Sequence, residues 1–169
     1  MNIYILRHGL AGEKGSSEYA NDADRPLTSE GERKLSKITD AMKTLGLKFD
    51  LILSSPYVRT RQTAEIVAEA FKAREKLDFS KTLQPDGDPS ELIKVLNRRK
   101  APDSPLLVGH EPYLSSLISI LISGDGRASV TLKKGGLCKL SAESLKYGRC
   151  ASLRWLVTPK QMLRIAQAA

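Results

Sequence analysis

A chain of 169 residues is long enough to bury a hydrophobic core without disulfides or metal staples. With 41% hydrophobic and 27% charged residues it is neither disordered nor fibrous, and no apolar run approaches the ~20 residues that cross a bilayer. The net charge of +8 favours anionic partners, yet the basic residues are scattered and 5% aromatic content is thin for stacking nucleic-acid bases.

Residues 3–6, Ile-Tyr-Ile-Leu, read as a buried strand that breaks at Arg7-His8-Gly9. Residues 12–24 are rich in Gly, Ser and charge and lack periodicity, so a mobile loop is expected beside His8, as a lid or as a plain connector. Ser29-Glu30-Gly31-Glu32 reads as a capping box, with Ser29 as the cap, opening a helix with Leu35, Ile38, Met42 and Leu45 on one face and Gly46 as its stop. Leu51-Ile52-Leu53 is a second buried strand. It ends in Ser54-Ser55-Pro56, whose two serines read as caps for a helix burying Ala64, Val67, Ala68 and Phe71. Residues 72–86 are irregular, with at most a short strand at 77–79. Asp88-Pro89-Ser90-Glu91 then starts a helix running to about Arg99, and Arg98-Arg99-Lys100 reads as its solvated end.

The third apolar run, residues 105–108, is closed by Gly109-His110-Glu111-Pro112. The helix beyond it buries Leu114, Leu117, Ile118 and Leu121 and stops at Gly124. Residues 129–132, 137–141 and 152–157 read as strands, the first two joined through Lys134-Gly135-Gly136, with Trp155 expected in the core. Thr158-Pro159 opens a last helix. Strand–helix alternation predicts an α/β three-layer sandwich: a mostly parallel central sheet, helices on both faces, an antiparallel edge, and a single domain over residues 1–169. The start of the chain has no basic region followed by a long apolar one, so a cytoplasmic location is expected, with Cys138 and Cys150 as free thiols.

In parallel α/β sheets ligands bind at the carboxyl ends of the strands. The first strand delivers Arg7 and His8 there, the second delivers Ser54, Ser55 and then Arg59, and the third delivers His110. Two imidazoles with two guanidiniums make a phosphate pocket, because guanidinium forks match phosphate oxygens bidentately and a helix N-terminus adds backbone donors. A neutral histidine can attack phosphorus, neighbouring arginines favouring its neutral form, and a second histidine, if protonated, could stabilise the transition-state oxygens. Two histidines without clustered cysteines or carboxylates do not make a closed zinc site, so neither metal nor cofactor is expected.

Arg7-His8-Gly9, then Ser55-Pro56 with Arg59 and Gln62-Thr63, then Gly109-His110, resemble the signature of the histidine phosphatase superfamily, which includes the cofactor-dependent phosphoglycerate mutases. Arg25-Pro26-Leu27-Thr28 with Gly31 also resembles its early segment. The matches run in family order up to about Pro112. The resemblance implies a phosphoglycerate mutase-like fold in compact form, with His8 as nucleophile and Arg7, Arg59 and His110 as the rest of the pocket. The chain lacks the longer insertion that roofs the site in mutases and sugar-bisphosphate phosphatases, and so most resembles the SixA-type phosphohistidine phosphatases.

That resemblance implies a phosphatase acting on phosphohistidine in a phosphotransfer protein. Cleaving its P–N bond expels imidazole, so a strong general acid is dispensable. Candidate donors are Glu111, which fits a helix-end carboxylate equally well, and the loop carboxylates Asp22 and Asp24, read chiefly as solvated charges. Gln62, one turn from Arg59, is a candidate substrate contact, with helix-surface packing an equal alternative. Two other readings are a broad or small-molecule phosphomonoesterase of the same superfamily, and a non-catalytic phosphate- or nucleic-acid-binding module.

Overall fold

The computed structural model describes residues 1–99 and 102–168. The strands are β1 (Asn2–Arg7), β2 (Leu51–Ser54), β3 (Leu77–Phe79), β4 (Pro105–Gly109), β5 (Leu137–Ala142) and β6 (Ala151–Val157). The helices are α1 (Ser29–Thr44), α2 (Val58–Ala70), α3 (Pro89–Arg98), α4 (Tyr113–Ser123) and α5 (Pro159–Gln167). One sheet runs in the order β3-β2-β4-β1-β5-β6. Its first four strands are parallel, and β5 and β6 add the expected antiparallel edge.

Alternation along β1 sorts the core into two layers. Ile3 and Ile5 face α3 and α4 with Leu53, Leu107, Leu114 and Leu117, whereas Tyr4 and Leu6 face α1, α2 and α5 with Leu35, Ile38, Met42, Val67 and Met162. A strand covered on both faces is apolar at every position, which explains why the parallel strands read as continuous apolar runs. Because β4 inserts between β2 and β1, the carboxyl ends of the first, second and third apolar runs become neighbours. That adjacency assembles the site.

Several local expectations shift. Thr28, not Ser29, caps α1, its side chain accepting the Gly31 amide at 3.0 Å, so Glu32 closes no capping box. Leu45 is 41% exposed at the helix end rather than in the core. Residues 129–132 form no strand; the segment passes over the end of β1, where Leu132 is buried and its carbonyl accepts from Arg7. The turn at 134–136 therefore joins a loop, not a strand, to β5. Trp155 is half-buried, 6.2 Å from the Tyr4 ring at the edge of the α1 layer. Arg99 pairs with Asp78 on the neighbouring surface, while Lys100 lies outside the described residues. Cys138 and Cys150 are free thiols. Among the described residues no helix is long and apolar enough to cross a membrane.

Candidate active site

His8 leaves the end of β1 with its amide bonded to the Gly109 carbonyl of β4, and Ser55 leaves β2 bonded to Val108 of the same strand. The turn at 133–136 clasps β1 from the other side: the Gly135 amide faces the carbonyls of Arg7 and His8 at 3.1 Å, and Arg7 NH donates to Gly136. Gly135 has φ +76°, a left-handed conformation that glycine takes without strain. The Arg7 side chain donates to the Leu132 carbonyl at 2.9 Å, fixing its guanidinium beside the histidines.

His8 is 4% exposed and His110 1%, their ring centroids 5.4 Å apart. His8 Nδ1 lies 2.8 Å from the Gly9 carbonyl, an acceptor only, so Nδ1 carries the proton and Nε2 keeps its lone pair. Burial chiefly, then the positive field of Arg59, His110 and Arg7, pushes the His8 pKa down to about 3 against the opposing Gly9 hydrogen bond. The His8 imidazole is therefore neutral, and desolvation contributes more to that than the arginines. The next residue, Gly9, donates its amide to Thr63 Oγ1, which in turn donates to the Arg59 carbonyl, tying the His8 loop to α2.

His110 leaves β4 with Nε2 2.9 Å from Ser55 Oγ, while its Nδ1 is buried without a protein partner. Its pKa is also pushed down to about 3, by burial first, with Arg59, Arg25 and Arg7 lowering it and Asp22 opposing them. The site therefore holds two neutral imidazoles. An arriving anion would raise both.

Arg59, in the first turn of α2 and 3% exposed, donates to the Asp22 backbone oxygen at 2.6 Å and to its carboxylate at 2.8 Å, with Cζ 5.2 Å from the Tyr57 ring centre. Asp22 also accepts from Arg25 at 2.9 Å. Burial works against the Asp22 charge, but Arg59 and Arg25 outweigh it and hold the carboxyl below its usual range. A carboxylate so held is a poor proton donor; it is exposed, as expected from sequence, but paired with two arginines. Residues 12–28 are tied down by this pair, by Arg25 donating to the Gly12 carbonyl, and by the Ala11–Leu27 bridge. Asp24 is exposed and accepts from Asn21.

Two further candidates have other partners. Gln62 Oε1 accepts the Leu27 amide at 2.8 Å, which makes it an anchor for the strap at 12–28. Glu111 accepts the Ser115 amide at 3.2 Å and the Ser115 hydroxyl, on the first turn of α4, while remaining close enough to Arg7 to oppose the lowering of its pKa by burial. Sequence reasoning missed Ser55 as the partner of His110, Thr63 as the brace under Gly9, and Asp22 as the clasp on Arg59. Ser55 was read as a helix cap, Thr63 stood only within the Gln62-Thr63 motif and Asp22 only as a candidate donor; α2 has no side-chain cap on its first turn.

Residues 3–84 match the family profile described as the histidine phosphatase superfamily (branch 1). An uncharacterized protein of Picosynechococcus sp. (strain PCC 7002) is 36% identical over 167 residues, covering 96% of this chain and 99% of the relative. The phosphohistidine phosphatase SixA of Escherichia coli K12 is 27% identical over 146 residues, covering 80% of this chain and 88% of its own. The solved structure of the protein histidine phosphatase SixA complexed with tungstate superposes with a TM-score of 0.78 at 22% identity, covering 95% of this chain and 98% of that one, a likeness of fold.

Proposed function

The chain belongs to the histidine phosphatase superfamily, and on that premise we propose that it hydrolyses phosphohistidine in a protein through a covalent phosphoryl intermediate on His8. The observation that carries this reading is the His8 tautomer: Nδ1–H is tied to Gly9, and a neutral Nε2 stands among Arg7, Arg59 and His110.

In the first step the Nε2 lone pair attacks phosphorus, the substrate's P–N bond breaks, and the leaving imidazole takes a proton from solvent or from the phosphoryl group. The guanidiniums of Arg7 and Arg59 balance charge on the equatorial oxygens. Ser55 Oγ accepts the Tyr57 amide at 3.4 Å and gives its own proton to His110 Nε2, which leaves His110 Nδ1–H to donate to an oxygen. In the second step water attacks the phosphorus, its P–O bond forms as the His8 P–N bond breaks, and phosphate leaves with the electron pair returned to Nε2.

The commitments of the carboxylates favour a P–N substrate over an ester. Asp22 is held ionised by two arginines, and Glu111 is bonded to Ser115, so neither is free to protonate an alkoxide as it leaves. An imidazole departs without that help. The likeness to a phosphohistidine phosphatase at 27% identity supports the same substrate class, and two free thiols fit a reducing cytoplasm.

The test is phosphate release from a phosphohistidine-bearing phosphotransfer protein beside an aryl phosphate, with a chelator present. Rapid release from the protein alone is expected, and none from His8→Ala. Faster release from the aryl ester would move the assignment to a phosphomonoesterase with Glu111 as acid, and turnover by His8→Ala would remove the mechanism.

A further inference from the structure

A groove between α1 and α5 starts at the His8 loop. Its inner part, about 330 Å³, is walled by Gly9 and Leu10 and floored by the half-buried Pro159 and Leu163, with Leu35 and Ile38 buried beneath them. Its outer part, about 520 Å³, continues past Lys34 and Leu163 along the outside of α1. Arg33, Lys34, Lys37, Lys134 and Lys160 line the two parts, against one acid, Glu30, whose carboxylate is taken by Lys34. An aliphatic floor with a basic rim suits a partner that is apolar on one face and acidic on the other.

Lys134 stands where the groove meets the phosphate pocket. Its neighbour Gly135 bonds the carbonyls of Arg7 and His8, and the ammonium makes no ion pair among the described residues. Burial, then Arg7, Arg25 and Arg59, pushes its pKa below the ordinary lysine value. A half-buried cation among other cations lacks a counter-charge that an incoming anion would supply.

We propose that this groove docks the protein that carries the substrate phosphohistidine. An acidic amphipathic helix of that partner lies along it, apolar side on Pro159 and Leu163, carboxylates toward Lys37 and Lys160, with Lys134 facing the anion nearest the phosphoryl group. The mode is a helix in a groove. The lining has no aromatic side chain on which a nucleic-acid base would stack, which favours protein over nucleic acid. The proposal rests on the phosphohistidine reading above and adds where the substrate protein sits.

The Lys37→Glu/Lys160→Glu double variant tests it, since both lysines are exposed and outside the phosphate pocket. The probes are an acidic histidine phosphotransfer domain, free phosphoimidazole and a single-stranded oligonucleotide. KM for the phosphorylated domain should rise on the order of tenfold with kcat unchanged, and turnover of phosphoimidazole should not change. Binding of the phosphorylated domain to a His8→Ala protein should weaken equally when the two charge reversals are added.

Each other outcome is decisive. Equal KM in the variant overturns the docking surface while leaving the hydrolysis reading standing. Groove-dependent binding without phosphate release keeps the surface and overturns the hydrolysis reading. Binding of the oligonucleotide, but not of the domain, through these lysines overturns the choice of partner. No binding and no release overturn both.

Discussion

At the scale of single residues, the two buried histidines couple the site to pH. Their folded pKa values, about 3, lie below the ordinary histidine value of about 6.5. Below that value the unfolded chain takes up protons that the folded chain refuses, so stability falls as pH drops from about 6.5 toward about 3, and is unaffected by these groups above it. The loss is about 1.4 kcal/mol per pH unit per histidine, or about 2 kcal/mol for each by pH 5. Urea unfolding at pH 7 and pH 5 should show it, and the His8→Asn/His110→Asn double variant should lose most of that slope; an unchanged slope would mean the imidazoles are solvated. Ser55 permits a second reading at this scale. Ser55→Ala removes the hydroxyl bonded to His110 Nε2, which fixes the ring's orientation, so phosphoryl transfer should slow by about 10- to 100-fold while the fold persists. Single-turnover kinetics would measure it, and an unchanged rate would leave Ser55 as a packing residue.

At the scale of elements, the strap at 12–28 and the start of α1 position the His8 loop from outside the sheet. Gln62 serves this strap through the Leu27 amide. Gln62→Ala should cost about 1–3 kcal/mol in urea unfolding, the penalty for an unpaired amide, with phosphate affinity within twofold; a large loss of affinity at full stability would restore Gln62 to the pocket. Gly31 is more demanding, because a Cβ there would meet the Leu10 carbonyl oxygen at 2.2 Å, a backbone atom that cannot swing aside. Gly31→Ala should destabilise by about 3 kcal/mol and displace the loop behind His8, read as a lower melting temperature together with lost activity. These dependencies mark the limit of what sequence carried. The convergence of Arg7, His8, Arg59 and His110 was legible because they lie at or just beyond the ends of three apolar runs, and a buried strand writes a local pattern. The clasp of Asp22 on Arg59 spans 37 positions and that of Ser55 on His110 spans 55, and neither leaves a periodic trace. The false strand at 129–132 has a related cause: Val130 and Leu132 alternate as a strand would, yet they pack on the α3–α4 layer from an irregular segment. The α1 cap slipped by one residue because Thr28 and Ser29 are both good caps, and only the position of Gly31 decides between them.

At the scale of the molecule, the +8 charge has a kinetic meaning. Part of it gathers at the site, where Arg25 and Arg59 share the Asp22 carboxylate and Arg7 stands beside the two histidines. Part of it, the lysines along α1 and α5, is solvated, so its field is screened over about 10 Å at 0.1 M salt. A small phosphorylated substrate meets mainly the buried arginines, which salt screens little. An acidic protein meets the whole basic face, and its encounter rate depends on the long-range field. Raising salt from about 20 mM to about 300 mM should therefore lower kcat/KM for an acidic phosphoprotein on the order of tenfold, and change that for phosphoimidazole by less than about twofold. Stopped-flow phosphate release against ionic strength separates the two substrates. Equal slopes would place all of the useful charge in the pocket and leave the basic face without a part in catalysis. A steep slope for the protein alone would show that the excess charge guides a partner, because the phosphoryl group and its immediate ligands are the same in both reactions.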